Sequence, residues 1–389
     1  MSRYVGAAEA ARMLGVRRAT LYAYVSRGLI GRRVAVDGRT SLYSVDDLEA
    51  LARRARTREP RERPSLDVQI STGVTALDET GVRYRGHDVA ALARTCTYEQ
   101  VCELLWTGTL PPEVTWPAPD AADERRAASV TRAIGAQGVP ALVAVATALG
   151  VHHPGDDPAT AARRLLGVAP IAVRTSSRTA VPSTGALASR LAAAWCTDPS
   201  PALVRVIDRA LVLLADHELA TSTLAVRVAG STWPGPSAAY AAGLAAIQGI
   251  HHGGASAQVH DLLAECERVG DAAEVVVRRL QARERLPGFG HKVYKGDDPR
   301  LAPLLEAVAE LPDPAGRLQV VHDVLAAAGV HMTRRPNVDL GLAALTFVAG
   351  LPAEVPLFAV ARIAGFAAHL QEELQERPVR FRGIARPPA

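Results

Sequence analysis

Residues 285–300 restrict this chain more than any other stretch. They read Arg285-Leu286-Pro287-Gly288-Phe289-Gly290-His291-Lys292-Val293-Tyr294-Lys295-Gly296-Asp297-Asp298-Pro299-Arg300. Gly288 and Gly290 admit positive φ and let a ligand approach the backbone closely. His291 is therefore expected on a tight loop, with a ring N–H able to point at a substrate oxygen. Pro299 favours an extended or turn geometry at Asp298, so Arg300 is expected at the start of the next helix. A neutral proton donor beside a planar cation suits a carbonyl compound that carries carboxylates. A surface turn with a structural histidine suits the same residues, and His291 alone does not decide between the two.

Length and composition limit the remaining choices. A chain of 389 residues is long for one compact core and predicts two or three domains. Abundant alanine and leucine predict a mainly α protein. The four cysteines, Cys96, Cys102, Cys196 and Cys266, form no CxxC pair, so neither a zinc site nor a redox motif is expected. No apolar leader and no 18-residue apolar run is present, which predicts a soluble, cytoplasmic protein.

Three further stretches bear on His291: Asp216-His217-Glu218, Gly249-Ile250-His251-His252-Gly253-Gly254-Ala255 and Pro336-Asn337-Val338-Asp339. In this order and spacing the four stretches resemble citrate synthase, over roughly residues 65–389. Tyr84-Arg85-Gly86-His87-Asp88-Val89 and the run from Ala361 to His369 resemble further family segments. The resemblance implies citrate synthase-like large and small helical domains, the large over 65–252 and 346–389, the small over 253–345. It implies condensation of acetyl-CoA with oxaloacetate to citrate and CoA, or of propionyl-CoA to 2-methylcitrate, with neither cofactor nor metal. Carried over residue by residue, Asp339 is the base, His252 steadies the enol and His291 polarises the oxo-acid carbonyl. Arg300, Arg362 and His217 bind the dicarboxylate. Arg377 enters from the partner of a homodimer, and Lys292 and Lys295 contact CoA phosphates. Ala220 and the run Leu340-Gly341-Leu342-Ala343 depart from the family pattern, which leaves the acyl group and the oxo acid open.

The charge is uneven. Residues 1–64 hold fourteen arginines and no lysine against seven acidic residues, whereas the remainder holds 30 basic against 33 acidic. A basic head on a near-neutral body is expected where one part meets a polyanion. In that head, a helix burying Ala10, Ala11 and Leu14, a turn at Gly15 and a helix burying Leu21 and Val25 have helix-turn-helix spacing. Residues 34–43 read as a hairpin around Asp37-Gly38, and Ser44 as the N-cap of a helix over 45–56. Together, residues 1–56 resemble the winged helix-turn-helix domain of MerR-type regulators and excisionases, with Arg17, Arg18, Thr20 and Tyr22 facing DNA. Residues 57–64 read as a basic linker. Two short strands are expected near 68–70 and 82–84, and the pair His152-His153 as surface. Two function classes stay open: a synthase with an appended DNA-binding module, or a transcription regulator whose synthase-like body senses a metabolite or acyl-CoA.

Overall fold

The computed structural model describes residues 4–14, 21, 25, 30–35, 40–45, 47–48, 69–78, 81–175, 181–249, 252–291, 293–294 and 296–382. The chain divides into two compact units, Met1–Ile70 and Ser71–Ala389.

In the first unit, helix Ala7–Leu14 packs with Leu21, Ile30, Tyr43 and Leu48 in a small apolar core. Strands Arg32–Val34 and Ser41–Ser44 pair antiparallel, as a hairpin requires. Ser44 Oγ accepts from the Asp47 amide at 3.3 Å, the bond expected of an N-cap, and Val45, Asp47 and Leu48 are helical. Tyr4–Gly6 adds a third strand on the other side of Ser41–Ser44. That strand was not expected. Its β-prone Tyr4 and Val5 precede the helix and cover the open edge of the hairpin. Arg17, Arg18, Thr20, Tyr22, the turn pair Asp37-Gly38 and the linker 57–64 lie outside the described residues.

The second unit is helical, apart from a three-stranded antiparallel sheet of Thr75–Asp78, Gly81–Tyr84 and His87–Asp88. The strand expected near 68–70 is displaced: Gln69 and Ile70 pair with nothing regular, and Thr75–Asp78 takes the place. Gly81 takes φ +137°, and Thr75–Asp78 pairs antiparallel with Gly81–Tyr84, Asp78 lying opposite Gly81. His153 also departs from expectation. It is half-buried, and its Nε2 lies 2.9 Å from the Asp123 carboxylate. Among the described residues no helix is long and apolar enough to cross a membrane.

Helix Leu357–Glu373 is buried along nearly its whole length, an apolar run with Arg362 and His369 two turns apart on one side. Helices Thr221–Gly230 and Pro236–Ile247 meet it closely at Gly243. A Cβ there would lie 2.5 Å from Val226 Cγ2 and 2.8 Å from the Phe366 ring. Gly243→Ala is therefore expected to overpack the contact at a cost of about 1–3 kcal/mol. A lower midpoint at unchanged slope in chemical denaturation checks this.

Candidate active site

The loop carrying His291 is joined to the segment before Asp339. Gly288 and Gly290 both take positive φ, +80° and +88°. Their turn lets Asn337 N–H donate to Gly288 O at 2.9 Å and the Asn337 side-chain amide to Gly290 O at 2.8 Å. Asn337 also caps helix Val338–Val348 by accepting from the Asp339 amide at 3.0 Å. Asp339 thus sits in the first turn and is not itself the cap. Asp298 ties in Arg300: its carboxylate accepts from Arg300 Nε at 2.9 Å and Nη2 at 2.8 Å, and from the Val338 amide at 3.0 Å. One loop and one helix start therefore fix His291, Arg300 and Asp339 relative to each other. Arg300 immediately precedes helix Leu301–Val308, where Pro299 led it to be expected.

His291 has a defined tautomer. Its Nδ1 accepts from the Val293 amide at 3.0 Å and the Tyr294 amide at 3.3 Å. The ring proton must then be on Nε2, which becomes a donor. Burial, reinforced by Arg300, lowers the pKa and keeps the ring neutral. His217 stacks edge-on against it at 5.2 Å between centroids, with Nε2 2.9 Å from the Tyr294 hydroxyl. Burial, then Arg300 and Arg362, pushes the His217 pKa well below the ordinary imidazole value. The same burial raises the Tyr294 phenol to about 12.

Arg362 enters from helix Leu357–Glu373, and only 1% of it is exposed. Its guanidinium lies 4.8 Å over the Phe358 ring, and Asp216 is its ion-pair partner, only at 3.9 Å. Nε and Nη1 make no hydrogen bond, and Asp216 Oδ1 makes none either. A buried guanidinium with donors to spare is costly unless an anion meets it. Asp216 is held by the Thr75 hydroxyl at 2.6 Å and His369 Nε2 at 3.1 Å. Burial raises its pKa, but His369, Arg362 and Thr75 together more than reverse that and keep it ionised. Phe358 also brings in His252: the two rings meet edge-on at 5.5 Å, and His252 Nε2 lies 2.8 Å from Ser222 Oγ.

The structure thus brings together His217, His291, Arg300 and Arg362, places Asp339 beside the Asp298–Arg300 pair, and links His252 to Arg362 through Phe358. Arg377 is exposed in the segment after the last helix and does not join them. Lys292 and Lys295 lie outside the described residues. Asp216, Asp298, Asn337, Ser222 and Tyr294 were given no role from sequence, although all five lie inside or beside the recognised motifs. Among the described residues no cluster of histidine, cysteine or carboxylate side chains is placed to hold a metal.

The family model for the citrate synthase C-terminal domain matches residues 65–388. The chain belongs to the citrate synthase family. A helix-turn-helix family model matches residues 4–56. A citrate synthase of Mycolicibacterium smegmatis is 32% identical over 326 residues, 76% of this chain and 86% of that protein. A 2-methylcitrate synthase of Mycobacterium tuberculosis is 30% identical over 318 residues, covering 75% and 80%. The structure of Pyrobaculum aerophilum citrate synthase has a TM-score of 0.68 at 24% identity, covering 82% of this chain and 89% of that one. The structure of Thermoplasma acidophilum citrate synthase in ternary complex with carboxymethyl coenzyme A and oxaloacetate has the same TM-score at 21% identity, covering 84% and 95%. At these identities the two structures establish the fold. The match of sequence over the body makes the chain a citrate synthase-type enzyme.

One titration in the site has a direct consequence for stability. Burial, partly offset by Arg300 and augmented by Asp298, raises the Asp339 carboxyl from 3.8 to about 6. The folded state therefore holds that proton more tightly than the unfolded chain. Stability is lost as pH rises through the window between the two values, and the loss is complete above about 6. Asp339→Asn should accordingly be more stable than the unaltered protein at pH 8, by up to about 3 kcal/mol. The gap should shrink towards zero near pH 4. Denaturant midpoints across that range check the sign.

Proposed function

We propose that the enzyme condenses acetyl-CoA with oxaloacetate, giving citrate and CoA, with propionyl-CoA as the other candidate thioester. The spare donors of buried Arg362, beside Arg300 and two neutral histidines, carry this reading: they suit a compound with two carboxylates and a carbonyl between them. Arg300 and Arg362 clamp the carboxylates and His217 adds a hydrogen bond. His291 donates from Nε2 to the oxo-acid carbonyl as negative charge gathers there.

Asp339 removes a proton from the thioester methyl group, and a carboxylate titrating near 6 is a stronger base than an ordinary aspartate while still ionised at neutral pH. His252, positioned by Ser222 and Phe358, donates to the thioester oxygen as the enol forms. The enol carbon attacks the carbonyl carbon, and water then hydrolyses the resulting thioester. Lys292 and Lys295 are the only lysines of the chain, among 44 basic residues. Their place directly after His291 supports contact with CoA phosphates. In this reading residues 253–345 form the small domain and close over the substrates to exclude water. Arg377, exposed on its own chain, completes the site of a partner in a homodimer. The enzyme works in the cytoplasm.

CoA release, measured with oxaloacetate and each thioester in turn, tests the reading. Turnover is expected, with the preferred thioester naming the activity. His291→Ala should lower kcat by about 100-fold or more, the scale of one lost transition-state donor. Absence of turnover in a folded protein that binds oxaloacetate or CoA would instead support the metabolite-sensing reading. The acid limb of kcat/KM should have its midpoint near 6, as Asp339 loses its proton.

The head supports a second role. The match to a helix-turn-helix model and its arginine excess favour DNA binding through Arg17, Arg18, Thr20 and Tyr22. Fluorescence anisotropy with mixed-sequence duplexes should show binding that weakens linearly in log–log salt plots. Paired substitution of Arg17 and Arg18 by alanine should flatten that slope by about two. No binding at low salt would remove DNA as the partner.

A further inference from the structure

A cavity of about 580 Å³ lies in the helical unit, and none of the residues assigned to the condensation site lines it. Its walls come from residues 114–120, helix Pro158–Ala172 and residues 183–190. The volume is within the range of small-molecule sites.

Two wall residues, a glutamic acid and an arginine, are buried with polar atoms to spare. Glu99 is 5% exposed; its Oε1 accepts from the Leu187 amide at 2.7 Å, and its Oε2 has no partner. Arg190 is 4% exposed. Its Nε and Nη1 donate to Pro182 O at 2.7 Å and Gly167 O at 2.6 Å. Its Nη2 makes no hydrogen bond and has only Glu124 nearby, at 3.7 Å. Buried charged groups are rarely left in this condition without a partner that satisfies them. The apolar part of the wall includes Trp116, Leu166 and Leu187. Trp116 stacks on Trp106 at 5.7 Å and is nearly parallel to it. Of the other wall arginines, Arg163 is engaged by Glu103 at 2.8 Å and Arg164 by Asp123 at 2.8 Å and Asp156 at 2.9 Å, whereas Arg190 Nη2 is buried without a hydrogen bond.

We propose that this cavity is an effector site for a small ampholyte with an apolar body, the class that includes apolar amino acids. A carboxylate would meet Arg190, an N–H donor would meet Glu99, and the body would lie against Trp116 and the leucines. Its walls are connected to Arg362. Tyr98, next to Glu99, donates its hydroxyl to Ala361 O at 2.8 Å. Trp106, under Trp116, donates to Ala364 O at 3.0 Å. An occupant that shifts Glu99 or Trp116 therefore acts on the turn that holds Arg362. Only this coupling rests on the synthase reading; binding does not.

The test titrates the full chain with each apolar and aromatic L-amino acid, reading intrinsic tryptophan fluorescence, or thermal shift where the amino acid itself fluoresces. At least one should give a saturable signal that saturating oxaloacetate does not remove and His291→Ala retains. Glu99→Gln and Arg190→Lys should each weaken it tenfold or more. At saturation the apparent KM for oxaloacetate should change about fivefold. No saturable signal from any member, or a signal abolished by oxaloacetate, would overturn the site. Undiminished binding in both folded variants would do the same. Should either variant fail to fold, the titration and oxaloacetate competition on the unaltered chain decide. Saturation with no change in KM, in a protein that turns over, would overturn the effector role.

Discussion

The carboxylate of Asp216 is fully buried and joins three distant parts of the chain. It takes a hydrogen bond from Thr75 in the sheet, another from His369 on the long helix, and faces Arg362 two turns earlier on the same side of that helix. Tyr84 donates to the Asp216 carbonyl at 2.9 Å and accepts from its amide at 3.1 Å. Such a charge is tolerable only if every contact is in place. His369 Nδ1 receives a bond from Arg227, which is itself held by Glu373 at 2.8 Å, so its proton lies on the nitrogen facing Asp216. Gly365 is required at this crossing, because a Cβ would come within 2.2 Å of Asp216 Oδ1. Sheet, loop and helix are thus locked together where Arg362 projects.

The electrostatics of the cluster follow from an imbalance. Arg300 is neutralised by two short bonds to Asp298, whereas Arg362 has only a long contact with Asp216. Burial is the larger cause at both histidines; Arg300 adds to it at His291 and His217, and Arg362 at His217, so both rings stay uncharged. An uncharged His291 with Nδ1 already occupied can act only as a donor from Nε2. The same burial raises Asp339. One environment thereby prepares a donor, an anion receptor and a base, the three functions that the proposed condensation requires.

Much of this was legible in the sequence, because the motifs are local. Gly288 and Gly290 fix the loop, Pro299 fixes the entry to Arg300, and the spacing from Arg362 to His369 is two helical turns. What was not legible depends on partners far apart in the chain. Nothing near Asp216 states that it will meet Thr75, 141 residues earlier, or His369, 153 residues later. His153 looked like a surface residue because Asp123 is on another helix. The strand Thr75–Asp78 was misplaced because its place is set by pairing with Gly81–Tyr84 and not by its own composition. Asp298 and Asn337 stood within recognised motifs, yet their role as ties between loop and helix is visible only once both segments are side by side.

In the proposed condensation, Arg362 holds its spare donors for a carboxylate of the substrate. Calorimetric titration of the full chain with oxaloacetate, comparing the unaltered protein with Arg362→Met, tests it most directly. One site per chain is expected in the unaltered protein, and a loss of affinity of roughly 100-fold in the variant, the scale of charge-assisted bonds. The variant's denaturant midpoint should not fall, because an underpaired buried charge has become an apolar side chain of similar length. Equal affinity in the two proteins would rule out this role for Arg362.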